Sequence, residues 1–171
     1  MTTPHYPDRS PRAPAHWRTL IAILALVALV ACSAPERRGA APASPPGMAN
    51  DVLMRAIGLV GTPYRYGGNT PESGFDCSGL IGFVFQDAAG VALPRTTRQL
   101  AAMDRPSVSR QQLQPGDLVF FGQRNRVNHA GIYVGEGRFV HAPSTGGTVR
   151  LDALDGHYWR DTYLQARRIL R

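Results

Sequence analysis

The sequence predicts a single α+β domain in which N-terminal helices pack on a central antiparallel sheet. In the first part of the chain, apolar residues recur at helical spacing. In the second part, short apolar runs are separated by Pro-Gly and Gly-rich turn signals that are typical of strands. Helices that precede strands, instead of alternating with them, indicate an α+β arrangement. The length of 171 residues suffices for one ordinary domain.

The composition restricts the class of protein. With 43% hydrophobic and 18% charged residues, the chain is neither disordered, collagen-like nor a coiled coil. All 19 basic residues are arginines and the net charge is +7, which favours anionic surroundings without choosing between nucleic acid, lipid headgroups and cell-wall carboxylates. Two cysteines, Cys32 and Cys77, exclude a scaffold of several disulfides.

Residues 1–31 are predicted to be a signal peptide. The apolar stretch Leu20–Ala31 follows several arginines and is shorter than the roughly 20 residues that a membrane-spanning helix needs. It ends in the letters LVAC, which resemble a lipobox with Cys32 as the lipid-modified first residue; a secretory signal with an unmodified cysteine is the alternative. A lipidated Cys32 would hold the chain on a membrane and could not pair with Cys77. Ser33 favours the outer membrane, with the chain facing the periplasm.

The rest of the chain divides into a tether and a folded domain. Residues 32–48 combine the lipidated cysteine with a segment rich in proline, alanine and serine that lacks apolar periodicity, which indicates an extended tether. The folded domain is predicted over residues 49–171. No internal repeat is visible.

Two helices are predicted in the first part of the domain. Asn50 is a candidate cap for a first helix that ends at Gly61, and the glycine-rich stretch Tyr64–Phe75 is predicted to be a surface loop. The second helix opens at residues 76–79 and ends at Gly90.

Shorter elements follow. Two pairs with capping-box spacing, Thr96 with Gln99 and Ser109 with Gln112, predict two short helices. Five apolar runs then predict the strands of the sheet: Leu118–Phe121, Ala130–Val134, Arg138–Ala142, Thr148–Leu151 and Leu164–Ile169.

Cys77 is the candidate nucleophile. It lies at the predicted start of the second helix, where unpaired backbone N–H groups and the helix dipole favour a thiolate. A buried structural cysteine is the alternative interpretation. The polar neighbours Asp76 and Ser78 and the preceding glycine-rich loop favour the nucleophile.

A thiol nucleophile needs a base, and a predicted hairpin supplies two histidines. If residues 135–137 form a three-residue loop, Val134 pairs with Arg138, and His129 and His141 become diagonal neighbours on one face of the sheet. The opposite face is then apolar and suited to the core. A two-residue loop would place the histidines on opposite faces, so the inference depends on the turn.

No cofactor is expected. The aspartates Asp117, Asp152 and Asp155 form no recognisable zinc pattern with the histidines, so we expect no metal. His157 lies in an aromatic run that is predicted to serve packing.

Together these motifs resemble the NlpC family of papain-like cell-wall endopeptidases, and in particular its small Gram-negative lipoprotein branch. The matching segments follow the family's order and span nearly the whole domain: GTPYRYGG (61–68), FDCSGLIGFVF (75–85), LPRTT (93–97), QPGDLVFF (114–121) and HAGIYVGEGRFVHAP (129–143). The resemblance implies a papain-like NlpC fold and a thiol protease that needs no cofactor.

The resemblance also implies roles for individual residues. Cys77 takes the place of the catalytic cysteine, His129 that of the base and His141 that of the polar residue that orients the base. Tyr64 matches a tyrosine at the oxyanion site, and three residues match positions that line the substrate cleft: Asp76, Ser78 and Arg95.

The expected function is that of a lipid-anchored peptidoglycan endopeptidase, which hydrolyses an amide bond in stem peptides or their cross-links. The alternatives are a papain-like acyltransferase or amidase acting on another substrate, and a non-catalytic lipoprotein that binds the wall through its arginines. Expected partners are peptidoglycan stem peptides and, through Cys32, a membrane. Nucleic acid is not an expected partner because the arginines are scattered, and we expect a monomer.

Overall fold

The structure is a computed structural model that describes residues 46–144 and 147–170. The predictions for the signal peptide, for Cys32 and for most of the tether lie outside these residues. Within them, no helix has both the length and the apolar character that crossing a membrane requires.

The first helix, α1 (Pro46–Gly58), begins and ends earlier than the sequence predicted. Asn50 lies inside it and is not its cap, and residues 46–48 belong to the helix instead of the predicted tether. A proline is well suited to the first turn of a helix, because no intrahelical hydrogen bond needs its missing N–H. The first turn therefore forms upstream of the polar residue that appeared to be the cap.

The second helix, α2 (Cys77–Ala89), has the predicted limits. The Asp76 side chain accepts a hydrogen bond from the backbone N–H of Gly79, and Gly90 ends the helix in the left-handed conformation with a φ of 65°. The predicted short helices differ from each other. Thr96 caps α3 (Thr97–Ala101) as expected, whereas Ser109 makes no hydrogen bond to the helix backbone and only a 3₁₀ turn follows, over Arg110–Gln112.

The predicted surface loop over residues 64–75 contains a small hairpin. Strands β1 (Asn69–Thr70) and β2 (Gly74–Phe75) pair antiparallel, and the Phe75 side chain is fully buried. The hairpin folds the glycine-rich segment back onto the start of α2.

Five antiparallel strands form the main sheet in the order β6-β5-β4-β3-β7. They confirm the five predicted strands, with the fourth shifted towards the C-terminus: β3 (Leu118–Gln123), β4 (Arg126–Gly135), β5 (Arg138–His141), β6 (Arg150–Ala153) and β7 (Tyr163–Arg167). A short helix, α4 (His157–Thr162), connects the last two.

The sheet is apolar on both faces. Leu118 and Phe120 of β3 belong to the larger core cluster with side chains of α1, α2 and α3. The alternate residues Val119 and Phe121 belong to a second cluster that includes Trp159 of α4. The predicted α+β architecture is therefore confirmed, and His129 and His141 lie on the α4 side of the sheet.

The β4–β5 turn differs in length from the prediction, but the two strands pair in the predicted register. Gly135 pairs with Arg138, so the loop has two residues and not the predicted three, and both have positive φ. A bulge between Tyr133 and Gly135 adds one residue to β4 and restores the pairing of Ile132 with Val140. The two differences cancel, so the histidines still share a face.

Candidate active site

Cys77 is the first residue of α2. Because Asp76 caps the N–H of Gly79, the N–H groups of Cys77 and Ser78 remain close to the thiol, and the backbone of Ala130 on β4 also hydrogen-bonds it. These groups favour the thiolate, but burial of the thiol and the negative charge of Asp76 outweigh them and raise the pKa of Cys77. The raised pKa means that the thiol needs a base to take its proton, as the sequence analysis expected.

Asp76 and Arg95 form a polar brace around the start of α2. The two nitrogens Nη1 and Nη2 of Arg95 donate to the two carboxylate oxygens of Asp76, at 2.7 and 2.9 Å. Arg95 also donates to the Ser78 hydroxyl at 2.8 Å and to the carbonyl of Gly68 at 3.2 Å. The Arg95 hydrogen bond is the main reason that the pKa of Asp76 is lowered despite its partial burial. The structure thus brings together the three residues predicted to line the cleft.

Glycines allow the loop to approach the helix this closely. The N–H of Gly67 donates to Asp76 at 3.0 Å. A Cβ on Gly79 would collide with the carbonyl oxygen of Gly68, so any larger residue would push the loop away from α2.

Tyr64 lies next to this brace. Its backbone N–H donates to the carbonyl of Gly147 at 2.8 Å, and it forms a parallel bridge with Phe75. Burial raises the pKa of the Tyr64 phenol, and the nearby Cys77 and Asp76 raise it further. The phenol therefore remains a hydrogen-bond donor at neutral pH.

The two histidines are in contact on the sheet. Nε2 of His129 lies 2.9 Å from Nδ1 of His141, as the diagonal placement predicted. His129 is 9% exposed and His141 is fully buried. The next residue along β4 after His129 is Ala130, whose backbone hydrogen-bonds the thiol of Cys77. Cys77 therefore contacts β4 at the residue that follows His129, and His129 in turn contacts His141.

A third polar residue on the sheet continues this chain. Nε2 of His141 lies 3.1 Å from Oδ2 of Asp152, which also accepts hydrogen bonds from Arg150 and from the indole N–H of Trp159, the latter at 2.7 Å. The Trp159 ring stacks on His129 with ring centroids 5.2 Å apart. The sequence suggested Asp152 only as a candidate metal ligand and Trp159 only as part of a packing run. No local pattern indicates their place beside the histidines, because they reach it through the β5–β6 pairing and through α4.

Burial controls the protonation of both histidines. It lowers the pKa of His129 to about 3, and the neighbouring His141 and Arg150 contribute in the same direction. It lowers the pKa of His141 to about 4, although Asp152 opposes the shift. Both imidazoles are therefore neutral at neutral pH, which is the state that can accept a thiol proton.

Two grooves open beside these residues. One, of about 370 Å³, is lined by the start of α2, with Ser78, Gly82 and Phe83, and by Arg95. The other, of about 420 Å³, is lined by His129, together with Asn128, Pro143, Ser144, Arg150, Tyr158 and Trp159. Among the described residues, no three acidic, histidine or cysteine side chains are grouped so as to hold a metal ion.

The chain is similar to several characterised or solved proteins. It is 40% identical over 122 residues to murein DD-endopeptidase MepH of Escherichia coli, covering 70% of this chain and 45% of that protein. It is 42% identical over 119 residues to the gamma-DL-glutamyl hydrolase of Bacillus subtilis, covering 68% of this chain and 28% of that protein. The chain thus spans about half or less of the length of these relatives.

The fold comparison agrees with the sequence comparison. The crystal structure of an NlpC/P60 family protein from Bacillus cereus superimposes with a TM-score of 0.69 at 29% identity, over 75% of this chain and 41% of that one. The sequence profile of the NlpC/P60 family matches residues 61–168, a range that includes Tyr64, Cys77, His129, His141 and Asp152. With the papain-like α+β fold and this match over more than half of its length, the chain belongs to the NlpC/P60 family.

Proposed function

We propose that this protein is a lipid-anchored peptidoglycan endopeptidase that hydrolyses an amide bond in stem peptides or their cross-links. The observation that carries the proposal is the position of Cys77 at the start of α2, where its thiol hydrogen-bonds the backbone of Ala130, next along β4 to the buried contact between His129 and His141. A thiol becomes a nucleophile when an adjacent base takes its proton. The chain's similarity to a murein DD-endopeptidase and a gamma-DL-glutamyl hydrolase supports amide hydrolysis in the wall.

In the first half of the reaction, the thiol proton of Cys77 moves to Nδ1 of His129, the ring nitrogen that His141 does not engage. The sulfur attacks the carbonyl carbon, a C–S bond forms, and the carbonyl π electrons move onto oxygen. We assign the donors to this oxyanion as the N–H of Cys77, which hydrogen-bonds the thiol, and the phenol of Tyr64, whose pKa the nearby Cys77 raises. The intermediate then expels the amine, which takes the proton from His129 and leaves an acyl thioester.

In the second half, His129 takes a proton from water while the water oxygen attacks the thioester carbon. The C–S bond breaks, the sulfur regains the proton from His129, and the products are one carboxylic acid and one amine. His141 keeps its hydrogen bond to His129 throughout and orients the ring.

The helix side of the site shapes the cleft. Ser78 and Arg95 line the 370 Å³ groove, while Asp76 holds both of them and the N–H groups of Gly67 and Gly79. We assign the acyl portion of the stem peptide to this groove and the departing amine to the groove lined by His129, because His129 is the group that protonates the amine.

The membrane attachment rests on the LVAC motif at Cys32. After expression in a Gram-negative host, mass analysis of the mature chain is expected to find an N-terminal peptide that begins with a diacylglyceryl-modified Cys32. An unmodified chain, or one that begins at another residue, would contradict the anchor and leave the enzymatic proposal standing.

The enzymatic proposal is tested with the full chain in detergent and purified peptidoglycan sacculi. The wild-type chain is expected to release muropeptides, each carrying the elements of one added water, and Cys77→Ala is expected to lower the rate by about 10⁴-fold or more. The His157→Gln variant is the matched control, since that side chain is 92% exposed and lies outside the site. Identical muropeptide profiles from the wild-type chain and Cys77→Ala would refute the proposal.

A further inference from the structure

The carboxylate of Asp152 collects its donors on a single oxygen. Oδ2 lies 3.1 Å from Nε2 of His141, 3.1 and 2.9 Å from Nε and Nη2 of Arg150, and 2.7 Å from the indole nitrogen of Trp159. The donors come from β5, β6 and α4, and the fully buried His141 has this carboxylate on one ring nitrogen and His129 on the other. Asp152 is therefore the end of a hydrogen-bonded chain that runs through His141 to His129.

The Asp152 carboxylate determines which atom donates and which accepts in each hydrogen bond of that chain. An ionised carboxylate can only accept, so Nε2 of His141 carries the proton and Nδ1 is left as an acceptor. Nε2 of His129 must then donate to His141, which leaves Nδ1 of His129 with a free lone pair. That tautomer is the one that can take the thiol proton of Cys77.

We propose that Asp152 is a positioning residue for the reaction: it fixes the tautomers of His141 and His129, and its charge stabilises the imidazolium that forms when His129 takes the thiol proton. This inference rests on the proposed function, because its turnover assay measures the cleavage of muropeptides. It extends the Cys77, His129 and His141 set by a fourth member that acts through His141 and does not touch the substrate.

The surrounding charges determine the size and sign of the effect. Asp152 raises the pKa of both histidines, whereas burial and the Arg150 guanidinium lower it. Trp159 of α4 adds an uncharged ring that stacks on His129, and the thiol of Cys77 from α2 hydrogen-bonds the backbone of the next residue, Ala130. Loss of the Asp152 charge therefore makes both imidazoles weaker bases.

Asp152→Asn isolates the charge from the packing. Since all four donors meet at Oδ2, the amide oxygen of asparagine can occupy that position and keep every hydrogen bond. A role limited to holding Arg150 and Trp159 in place would therefore survive this substitution. Asp155→Asn is the matched control, because it removes one negative charge from an exposed carboxylate in the same segment, paired with Arg110 and away from the histidines.

The experiment measures kcat, KM and the pH profile of the full chain in detergent, with cross-linked muropeptides as the substrate. For Asp152→Asn we expect kcat to fall by about tenfold to hundredfold, with KM and the thermal midpoint unchanged. The acid limb of the kcat profile is expected to move to lower pH, because the weaker imidazoles stay neutral to lower pH. Asp155→Asn is expected to keep kcat within about twofold of the wild type.

The inference requires both the fall in kcat and the shift of the acid limb in Asp152→Asn. An acid limb that does not move overturns the inference whether or not turnover falls, because a purely structural role lowers turnover without changing the histidine pKa. Turnover equal to that of the wild-type chain overturns it as well.

A second measurement separates this inference from the proposed substrate. The rate at which iodoacetamide alkylates Cys77 at pH 7, read by mass analysis of the Cys77 peptide, reports transfer of the thiol proton without any substrate. We expect Asp152→Asn to lower this rate by about tenfold. Intact muropeptides together with an Asp152-dependent alkylation rate would refute the proposed function alone, whereas cleaved muropeptides with no dependence on Asp152 in either assay would refute this inference alone.

Discussion

The two sides of the site are built in opposite ways. The helix side consists of Asp76, Cys77, Ser78 and Arg95, of which only Ser78 is buried, and the ion pair between Asp76 and Arg95 holds it together. The sheet side consists of His129 and His141, which are buried under the Trp159 ring and neutral. A charged brace can fix a nucleophile at a helix start in contact with water, whereas a base with a lowered pKa requires burial. The nucleophile is therefore held by polar contacts at the start of α2, whereas the base is held by packing within the core.

The tight packing of the sheet side predicts the largest effect of a single substitution on stability. A Cβ on Gly131 would lie 2.6 Å from the Phe139 ring and 2.9 Å from the Val140 carbonyl oxygen, next to His141. We expect Gly131→Ala to lower the free energy of unfolding by about 2–3 kcal/mol in urea denaturation and to displace His141. An unchanged unfolding midpoint would mean that the two strands near the histidines are not tightly packed.

Acidification should affect the sheet side first. Burial lowers the pKa of both histidines, so between pH 7 and pH 5 they take up protons in the unfolded chain and not in the folded one. Stability therefore falls as the pH drops through about 6.5, by about 2 kcal/mol for each histidine. Asp76 and Asp152, whose pKa values are lowered, lose their contribution only near and below about pH 4.

Thermal unfolding at pH 7 and pH 5 measures this effect. The wild-type midpoint is expected to fall, and the double variant His129→Gln with His141→Gln is expected to show a much smaller fall. Equal midpoints of the wild-type chain at the two pH values would show that the histidines are not buried in the neutral form.

On the helix side, the largest loss is expected from Asp76→Ala. The substitution removes the cap on Gly79 and leaves Arg95 and Ser78 without their main partner. We expect a decrease of about 2 kcal/mol in the free energy of unfolding. Asp87→Ala is the matched control on the same helix, since its ion pair with Arg55 is half-exposed and contributes less than about 1 kcal/mol. Equal losses of unfolding free energy in Asp76→Ala and Asp87→Ala would contradict the role of the Asp76–Arg95 pair in stabilising the start of α2.

The smallest effect has the opposite sign. Gly82 lies inside α2 at the 370 Å³ groove, where an added Cβ would meet no atom within 4 Å. We expect Gly82→Ala to raise the free energy of unfolding by up to about 1 kcal/mol, because alanine favours a helix. A decrease in the free energy of unfolding of Gly82→Ala would contradict the open space that the structure shows at this position.

The same contrast explains what the sequence could predict. The helix side depends on neighbours in the chain, so the spacing from Asp76 to Gly79 was enough to predict the cap and the start of α2. The pKa of Cys77 could not be predicted in this way, because the burial that raises it comes from the folded chain and not from the helix start.

The sheet side required long-range pairing. The shared face of His129 and His141 followed from the hairpin, although the loop was predicted one residue too long and the bulge before Gly135 compensated for it. Asp152 and Trp159 join the site only through the β5–β6 pairing and the placement of α4, which no local pattern indicates. Similarly, Asn50 has the residue type of a cap but lies within α1, because the helix already begins at Pro46.

The central claim is that a thiol on the helix side and a neutral imidazole on the sheet side act as one unit. The most direct test is the alkylation rate of Cys77 by iodoacetamide at pH 7 in the full chain, compared between the wild-type chain, His129→Gln and the exposed control His157→Gln. We predict that His129→Gln lowers the rate by about tenfold or more, because the thiol loses the base that takes its proton, while His157→Gln leaves it unchanged. Equal rates in all three chains would contradict the claim that His129 acts on Cys77.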